Sequence, residues 1–120
     1  MSEHIVIGID LGGTKISTAL ADSAGTIIAH DYRETRATAG QKAVIGRMLG
    51  GARQVMAQAG VTQAQVAAVG IGAPGPLDIE AGVVVAPPNL PGWDRVPLKR
   101  LVEDELGIAT FLENDANAAA

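Results

Sequence analysis

Cysteine is absent from the 120 residues of the chain, which excludes a disulfide framework, a Cys-based zinc site and a thiol nucleophile. Long hydrophobic runs are absent as well, since no apolar stretch approaches the roughly 18 residues that a membrane-spanning helix needs. The first residues also lack the basic and apolar regions of a signal peptide. We therefore expect a cytoplasmic protein with no membrane partner.

Aromatic and positively charged residues are scarce. Nine Lys and Arg residues face thirteen Asp and Glu residues, and the net charge of −4 argues against a nucleic-acid surface, which needs clustered positive charge. The only aromatic residues are Tyr32, Trp93 and Phe111, so the core must be aliphatic. Hydrophobic residues nevertheless make up 48% of the chain, which excludes a disordered protein and predicts one globular domain.

The first third of the sequence predicts three antiparallel strands, followed by a helix. Apolar β-branched runs at 4–10, 15–21 and 26–33 are separated by turns rich in Gly, Asp and Ser. From 42 to 59 the apolar period becomes helical, and Gly60 is suited to end that helix. Three glycines inside the helix are locally unfavourable, and we expect them to permit close packing on the sheet: Gly46, Gly50 and Gly51.

The remainder predicts two further strand–helix units. The pattern first indicates a buried strand at 66–72, a small hairpin at 77–86 and a proline-stiffened loop at 87–93. A helix follows at 98–106, with Pro97 at its first position. The last elements are a strand at 108–112 and a third helix that is opened by Glu113-Asn114-Asp115. The order βββαβαβα predicts an α/β domain with a mixed five-stranded sheet and helices on its faces. Because the last helix is barely begun, we expect the chain to be a fragment of a longer protein.

The segment from Gly8 to Ile16 is the strongest chemical signal. It fits neither a P-loop nor a Rossmann turn, because a strand follows it instead of a helix. In a hairpin, Gly12 and Gly13 would let backbone N–H groups approach an anion, and Thr14 would add a hydroxyl donor. Asp10 could hold Mg²⁺ through water. An ordinary hairpin with an Asp near its turn explains the same residues.

Three further segments place polar groups after strands. Asn114, Asp115 and Asn117 stand at a strand-to-helix junction, where ligands bind in open α/β sheets, although helix capping needs one such residue too. Glycine and proline in Gly72–Asp78 would allow backbone contact with a ligand or simply form a turn. Asn89 lies in the proline-rich loop. We interpret His4 and His30 as non-functional.

Together and in this order, the segments resemble the ROK family of bacterial sugar kinases and sugar-responsive repressors. The segments of this chain that carry the resemblance are Asp10-Leu11-Gly12-Gly13-Thr14-Lys15-Ile16, Gly72-Ala73-Pro74-Gly75-Pro76, Pro88-Asn89-Leu90 and Glu113-Asn114-Asp115-Ala116-Asn117-Ala118-Ala119-Ala120. Within the family the sequence is similar to the ATP-dependent glucokinases. The resemblance implies an actin-like, ribonuclease-H-like ATPase fold, with residues 1–120 as the N-terminal of two domains.

The resemblance also implies roles for individual residues. Asp115 would be the general base toward the sugar 6-hydroxyl, and Asn114, the Gly75 backbone and Asn89 would contact the sugar. A phosphate turn would be formed by Gly12, Gly13, Thr14 and Lys15, with Asp10 serving Mg²⁺. ATP and a hexose would be the substrates. The absent second domain would hold the zinc motif and most of the adenine pocket, and the full protein would be a homodimer.

Three readings compete. The first is the N-terminal half of a hexose kinase, most simply a glucokinase, inactive without its second half. The second is the sugar-sensing part of a family repressor, which is disfavoured because the first strand begins at His4 and leaves no room for a helix-turn-helix. The third is a free-standing domain without catalysis, against which the phosphate and catalytic segments argue.

Overall fold

The computed structural model describes residues 4–114, and these form a mixed sheet with two helices. The strands are β1 (Ile5–Leu11), β2 (Lys15–Ala21), β3 (Ile27–Glu34), β4 (Val66–Ala73), β5 (Leu77–Asp78), β6 (Val83–Val84) and β7 (Thr110–Asn114), and the helices are α1 (Gln41–Ala59) and α2 (Leu98–Leu106). No helix of this described part is long and apolar enough to cross a membrane.

The main sheet has the strand order β3-β2-β1-β4-β7. The first three strands form an antiparallel meander, while β1, β4 and β7 run parallel to one another. The five-stranded mixed sheet expected from the sequence is therefore confirmed, and β5 and β6 pair separately as the predicted small hairpin. Because β1, β4 and β7 are parallel, their carboxyl ends lie at one edge of the sheet.

Strict alternation in β1 sets which face of the sheet is covered. Its residues at odd positions from Ile5 to Leu11 are buried, and those at even positions are exposed. Helix α1 packs on β2 and β3, α2 packs on β7, and the two helices contact each other, so both cover the same side. The core between them is aliphatic as predicted, with Trp93 (4% exposed) as its only aromatic residue among those described.

Two of the three glycines in α1 allow the close packing expected of them. A Cβ on Gly51 would lie 2.9 Å from Thr18 Oγ1, and one on Gly50 would meet the Arg33 guanidinium. For Gly46 the expectation is wrong, because nothing lies within 4 Å of the corresponding position. That glycine faces away from the sheet and gains no packing from its small size.

An ion pair within β3 lies beneath Gly50 and Gly51 of α1. Arg33 Nε donates to Asp31 Oδ2 over 2.7 Å, and both side chains are largely shielded from solvent. The hydrogen bond to Asp31 raises the pKa of Arg33 above its usual value. Burial lowers this pKa, and the negative charge of Asp31 raises it further, so the net shift is upward. Arg33 therefore stays protonated at neutral and moderately alkaline pH, and its charge would be lost only as the pH rises to its raised pKa.

Around α2 and β7, local boundaries differ from the sequence prediction in three ways. Glu113 and Asn114 do not open a helix; they pair in β7 with Gly72 and Ala73, because the buried ladder extends to the end of β4. That strand begins at Thr110, two residues later than predicted. Pro97 precedes the first residue of α2 instead of occupying it. The predicted third helix beyond Asn114 lies outside the described residues.

Candidate active site

The predicted site segments follow three strands that end at the same edge. The turn 12–15 follows β1, the segment around Gly75 follows β4, and Asn114 closes β7. The parallel pairing of these strands brings the three segments to one edge, as expected for ligand sites of open α/β sheets. A fourth segment, the loop carrying Asn89, reaches the same edge from β6.

The turn between β1 and β2 has an unusual hydrogen-bond pattern. Gly12 N–H donates to the Lys15 carbonyl over 2.9 Å. The Gly12 carbonyl accepts from Thr35 Oγ1 at 2.7 Å, and the Thr14 carbonyl accepts from the Thr35 N–H at 2.8 Å. Within residues 4–114, the N–H groups of Gly13 and Thr14 have no hydrogen-bonding partner. The turn thus has two open N–H donors, while the carbonyls of Gly12 and Thr14 are occupied, and open backbone donors suit an anion.

Thr35 is a residue that the sequence analysis missed. It directly follows β3 and is fully buried. A single threonine after a strand carries no sequence signal, and its role depends on a contact to Gly12, 23 positions away. Only the register of β2 with β3, which pairs Lys15 with Glu34, could have suggested that position 35 faces the turn.

Asn89 lies against the turn. A Cβ on Gly13 would lie 2.8 Å from the Cβ of Asn89, so only glycine fits beneath this side chain. The loop is held in place from within, because Leu90 and Trp93 are buried and Val96 exchanges two backbone hydrogen bonds with Val84. The proline-rich loop is therefore an ordered wall beside the turn.

Gly75 and Asn114 form a second close contact. The Asn114 Nδ2 lies 3.3 Å from the position that a Cβ on Gly75 would occupy. The register pairs Asn114 with Ala73, which brings the end of β7 beside the segment that follows β4. The peptide bond between Gly75 and Pro76 is cis. Two predicted sugar contacts, which are 39 positions apart in the sequence, are therefore neighbours in the fold.

Asp10 faces a cavity of about 430 Å³ on the open side of the sheet. Asp10, Gly72 and Glu113 lie in one row across β1, β4 and β7, with Ser17 next to Asp10 on β2. The glycines in these strands leave the centre of the cavity without side chains. His4 and His30 do not line it.

The carboxylates in this cavity suit a hydrated cation held mainly by other ligands. Within the described part of the chain, no three His, Cys, Asp or Glu side chains are close enough to hold a metal ion by themselves. Mg²⁺ usually keeps several waters and takes one or two carboxylates together with substrate phosphates. Asp10, exposed and beside the turn, fits that mode of binding.

The structure brings together most of the predicted site residues, but not all can be placed. Gly12, Gly13, Thr14 and Lys15 form one turn, with Thr14 and Lys15 exposed. Asp115, expected to be the general base, and Asn117 lie outside the described residues. Asn114 is the last described residue before them, and it stands at the edge that carries the turn.

Comparison with known proteins gives one consistent family. The family model for the ROK family matches residues 6–120. The glucokinase of Thermotoga maritima is 40% identical over 113 residues, which are 94% of this chain and 34% of that protein. A putative xylose repressor of a Caldicellulosiruptor species is 34% identical over 116 residues, covering 97% of this chain and 29% of the repressor. The chain therefore spans about a third of the length of these relatives.

Solved structures agree with that comparison. The ROK hexokinase from Thermus thermophilus superposes with a TM-score of 0.85 at 39% identity, over 97% of this chain and 37% of the hexokinase. A ROK family glucokinase from Streptomyces griseus, in complex with glucose and AMPPNP, gives a TM-score of 0.84 at 34% identity, over 96% of this chain and 34% of the glucokinase.

Proposed function

The chain belongs to the ROK family, and we propose that its residues 1–120 are the N-terminal domain of an ATP-dependent sugar kinase that phosphorylates the 6-hydroxyl of a hexose. The fold is the actin-like ATPase fold of the ROK glucokinases. Glucose is the proposed substrate, because glucokinases are among the relatives similar to almost the whole chain.

One observation carries the proposal: the turn with open N–H donors, Asn89, and the Gly75–Asn114 pair lie at one edge of the sheet. Phosphoryl transfer consists mostly of positioning and charge stabilisation, so a site needs an anion cradle beside a group that holds a hydroxyl. The unpartnered N–H groups of Gly13 and Thr14 supply the first requirement. The amide side chains of Asn89 and Asn114 supply donors and acceptors for sugar hydroxyls.

In the proposed mechanism, the turn 12–15 holds the phosphates of ATP. Backbone N–H groups of Gly13 and Thr14 donate to phosphate oxygens, and the exposed Lys15 adds a positive charge nearby. Asp10 would hold Mg²⁺ through its water shell, and the ion would neutralise charge on the transferring phosphate.

On the sugar side, Asn114, the Gly75 backbone and Asn89 would orient the hexose. Asp115 would accept the proton of the sugar 6-hydroxyl while the hydroxyl oxygen attacks the terminal phosphorus of ATP. ADP would be the leaving group. The third helix predicted from the sequence would hold the carboxylate of Asp115 as the anion through its dipole. Asp115 would therefore be ready to accept a proton, although the same field makes it a weaker base.

A sugar-sensing domain of a repressor is the second candidate. The observation in its favour is the similarity to a putative xylose repressor and to a xylose repressor of Caldicellulosiruptor bescii over nearly the whole chain. Such a protein would use the same sugar contacts without phosphoryl transfer. Sugar binding alone therefore cannot separate the two candidates, whereas turnover can.

The deciding experiment measures sugar-dependent ADP formation by the complete protein that contains this chain. Mg-ATP would be supplied with glucose, mannose, fructose, N-acetylglucosamine and xylose in separate reactions. Kinase activity predicts ADP formation with at least one hexose, and formation of its 6-phosphate. A folded protein that binds a sugar but forms no ADP with any of them would replace the kinase with the sensor.

A further inference from the structure

We propose that Thr35 is a positioning residue for the ATP phosphates, which it never touches. This inference rests on the proposed function, because it assigns Thr35 to the turn that would bind those phosphates. Thr35 is 0% exposed and therefore has no surface for a ligand. Its influence must pass through the turn.

Thr35 makes two hydrogen bonds to the turn. Its N–H extends the antiparallel ladder of β2 with β3 by one bond, to the Thr14 carbonyl at 2.8 Å. Its hydroxyl reaches past β2 to the end of β1 and donates to the Gly12 carbonyl at 2.7 Å. One buried residue thus occupies two carbonyl acceptors on either side of Gly13.

The hydrogen bond from Thr35 to Gly12 prevents an alternative conformation of the turn. In an ordinary two-residue hairpin, the carbonyl of Gly12 would accept from the N–H of Lys15. In the described structure the Gly12 carbonyl is held by Thr35, and only the reverse bond, from Gly12 N–H to the Lys15 carbonyl, is formed. Loss of the Thr35 hydroxyl would release the carbonyl and let the turn relax toward the ordinary hairpin, which reorients the open N–H donors.

The role of Thr35 can be separated from simple burial. Thr18 is also a threonine with 0% exposure, on the neighbouring strand β2, but its hydroxyl has no hydrogen-bonding partner within residues 4–114. Replacement of each threonine by valine conserves volume and removes one buried hydroxyl. Only the change at position 35 also removes a bond to the turn, so Thr18→Val is a matched control.

The test uses the complete protein and measures ATP affinity by calorimetry, together with kcat and KM for ATP and for the sugar. For Thr35→Val we expect the dissociation constant and KM for ATP to rise about tenfold, since one lost hydrogen bond with an unsatisfied acceptor is worth about this factor. KM for the sugar should stay within about twofold, because the sugar contacts do not involve the Gly12 carbonyl. Thr18→Val should leave all of these constants within about twofold of wild type.

Thr35→Ser should keep the ATP constants near wild type while lowering the melting temperature, because it retains the hydroxyl and loses a buried methyl group. If Thr35→Val does not fold, the comparison of Thr35→Ala with Thr35→Ser isolates the hydroxyl, since the two side chains differ only by that group and both lack the methyl group. A purely structural role would lower the stability and the active fraction of Thr35→Ala with no change in ATP affinity relative to Thr35→Ser.

The possible outcomes separate the two proposals. An ATP dissociation constant in Thr35→Val equal to that in Thr18→Val overturns the role of Thr35 and leaves the kinase intact. A wild-type protein that binds ATP without turnover overturns the kinase, and the role of Thr35 is still decided by the binding constants. A wild-type protein that binds no ATP overturns both.

Discussion

Gly13 and Asn89, which are 76 positions apart, are in such close contact that a Cβ on Gly13 would lie 2.8 Å from the Cβ of Asn89. This contact joins the turn proposed for the ATP phosphates to the loop proposed for the sugar. The proposed binding sites of the two substrates therefore meet at the contact between Gly13 and Asn89. A side chain inserted into this contact should therefore disturb the binding of both substrates.

Gly13→Ala should accordingly raise KM for both ATP and the sugar, each by about tenfold, because no real Cβ tolerates a 2.8 Å contact and the loop or the turn must move. The check is steady-state kinetics of the complete protein with each substrate varied in turn. Asn89→Gly alone should raise KM mainly for the sugar.

The double variant Gly13→Ala/Asn89→Gly is the control for this clash. It removes the Cβ that the new alanine would strike, so KM for ATP should return most of the way to wild type. Additive effects of the two substitutions would mean that the contact does not couple the substrates.

Gly75→Ala should raise KM for the sugar by about three- to tenfold and leave KM for ATP unchanged, since Asn114 must move away from the added methyl group. The same kinetic assay measures it. Gly46→Ala, which meets nothing within 4 Å, serves as the control and should change neither constant. An effect of Gly75→Ala on ATP alone would remove this pair from the sugar side.

The two helical glycines Gly46 and Gly51 should respond in opposite directions to alanine. Gly46→Ala should stabilise the protein by about 0.5–1 kcal/mol, the usual helix preference of alanine over glycine. Gly51→Ala should destabilise it by about 1–3 kcal/mol, because its Cβ would press on Thr18 and on Asp31. Urea unfolding of the two variants measures both changes. Equal stabilisation by both would show that α1 does not pack this closely on the sheet.

The side of the sheet opposite α1 and α2 should make the isolated chain of 120 residues self-associate. Apolar side chains there are exposed, among them Val6 (41% exposed) and Phe111 (57% exposed). Phe111→Ser should raise the dissociation constant of the dimer measured by sedimentation. Ile79→Ser, at an exposed position (48%) between β5 and β6, should leave this dissociation constant unchanged. A strictly monomeric chain at high concentration would contradict the expectation.

The local pattern of the sequence was sufficient to predict the sheet and α1. Strand β2 was predicted with its observed bounds, and the apolar stripe from Val44 to Met56 is buried as expected. The predicted end of β7 was wrong. Asn114 by itself favours the start of a helix, but its pairing with Ala73 extends the strand. Local propensity is weaker than a buried ladder at such a junction.

The candidate site was predictable only where a motif carries it. Glycines and prolines after strands identified the turn and the sugar-side segments, but their mutual contacts depend on packing. Thr35 could not be found because its hydrogen bonds span residues that are distant in sequence. Asn89 was a weak signal in the sequence and becomes specific only through its contact with Gly13.

Replacement of the proposed base tests the central claim most directly. Asp115→Asn in the complete protein should lower kcat for glucose-dependent ADP formation by at least about a hundredfold, the range that general base catalysis contributes, and leave glucose binding largely intact. Asp104→Asn, at an exposed aspartate on α2, is the matched control and should retain wild-type turnover. Undiminished turnover in Asp115→Asn would contradict the account, because the residues that follow β7 would then not perform the chemistry.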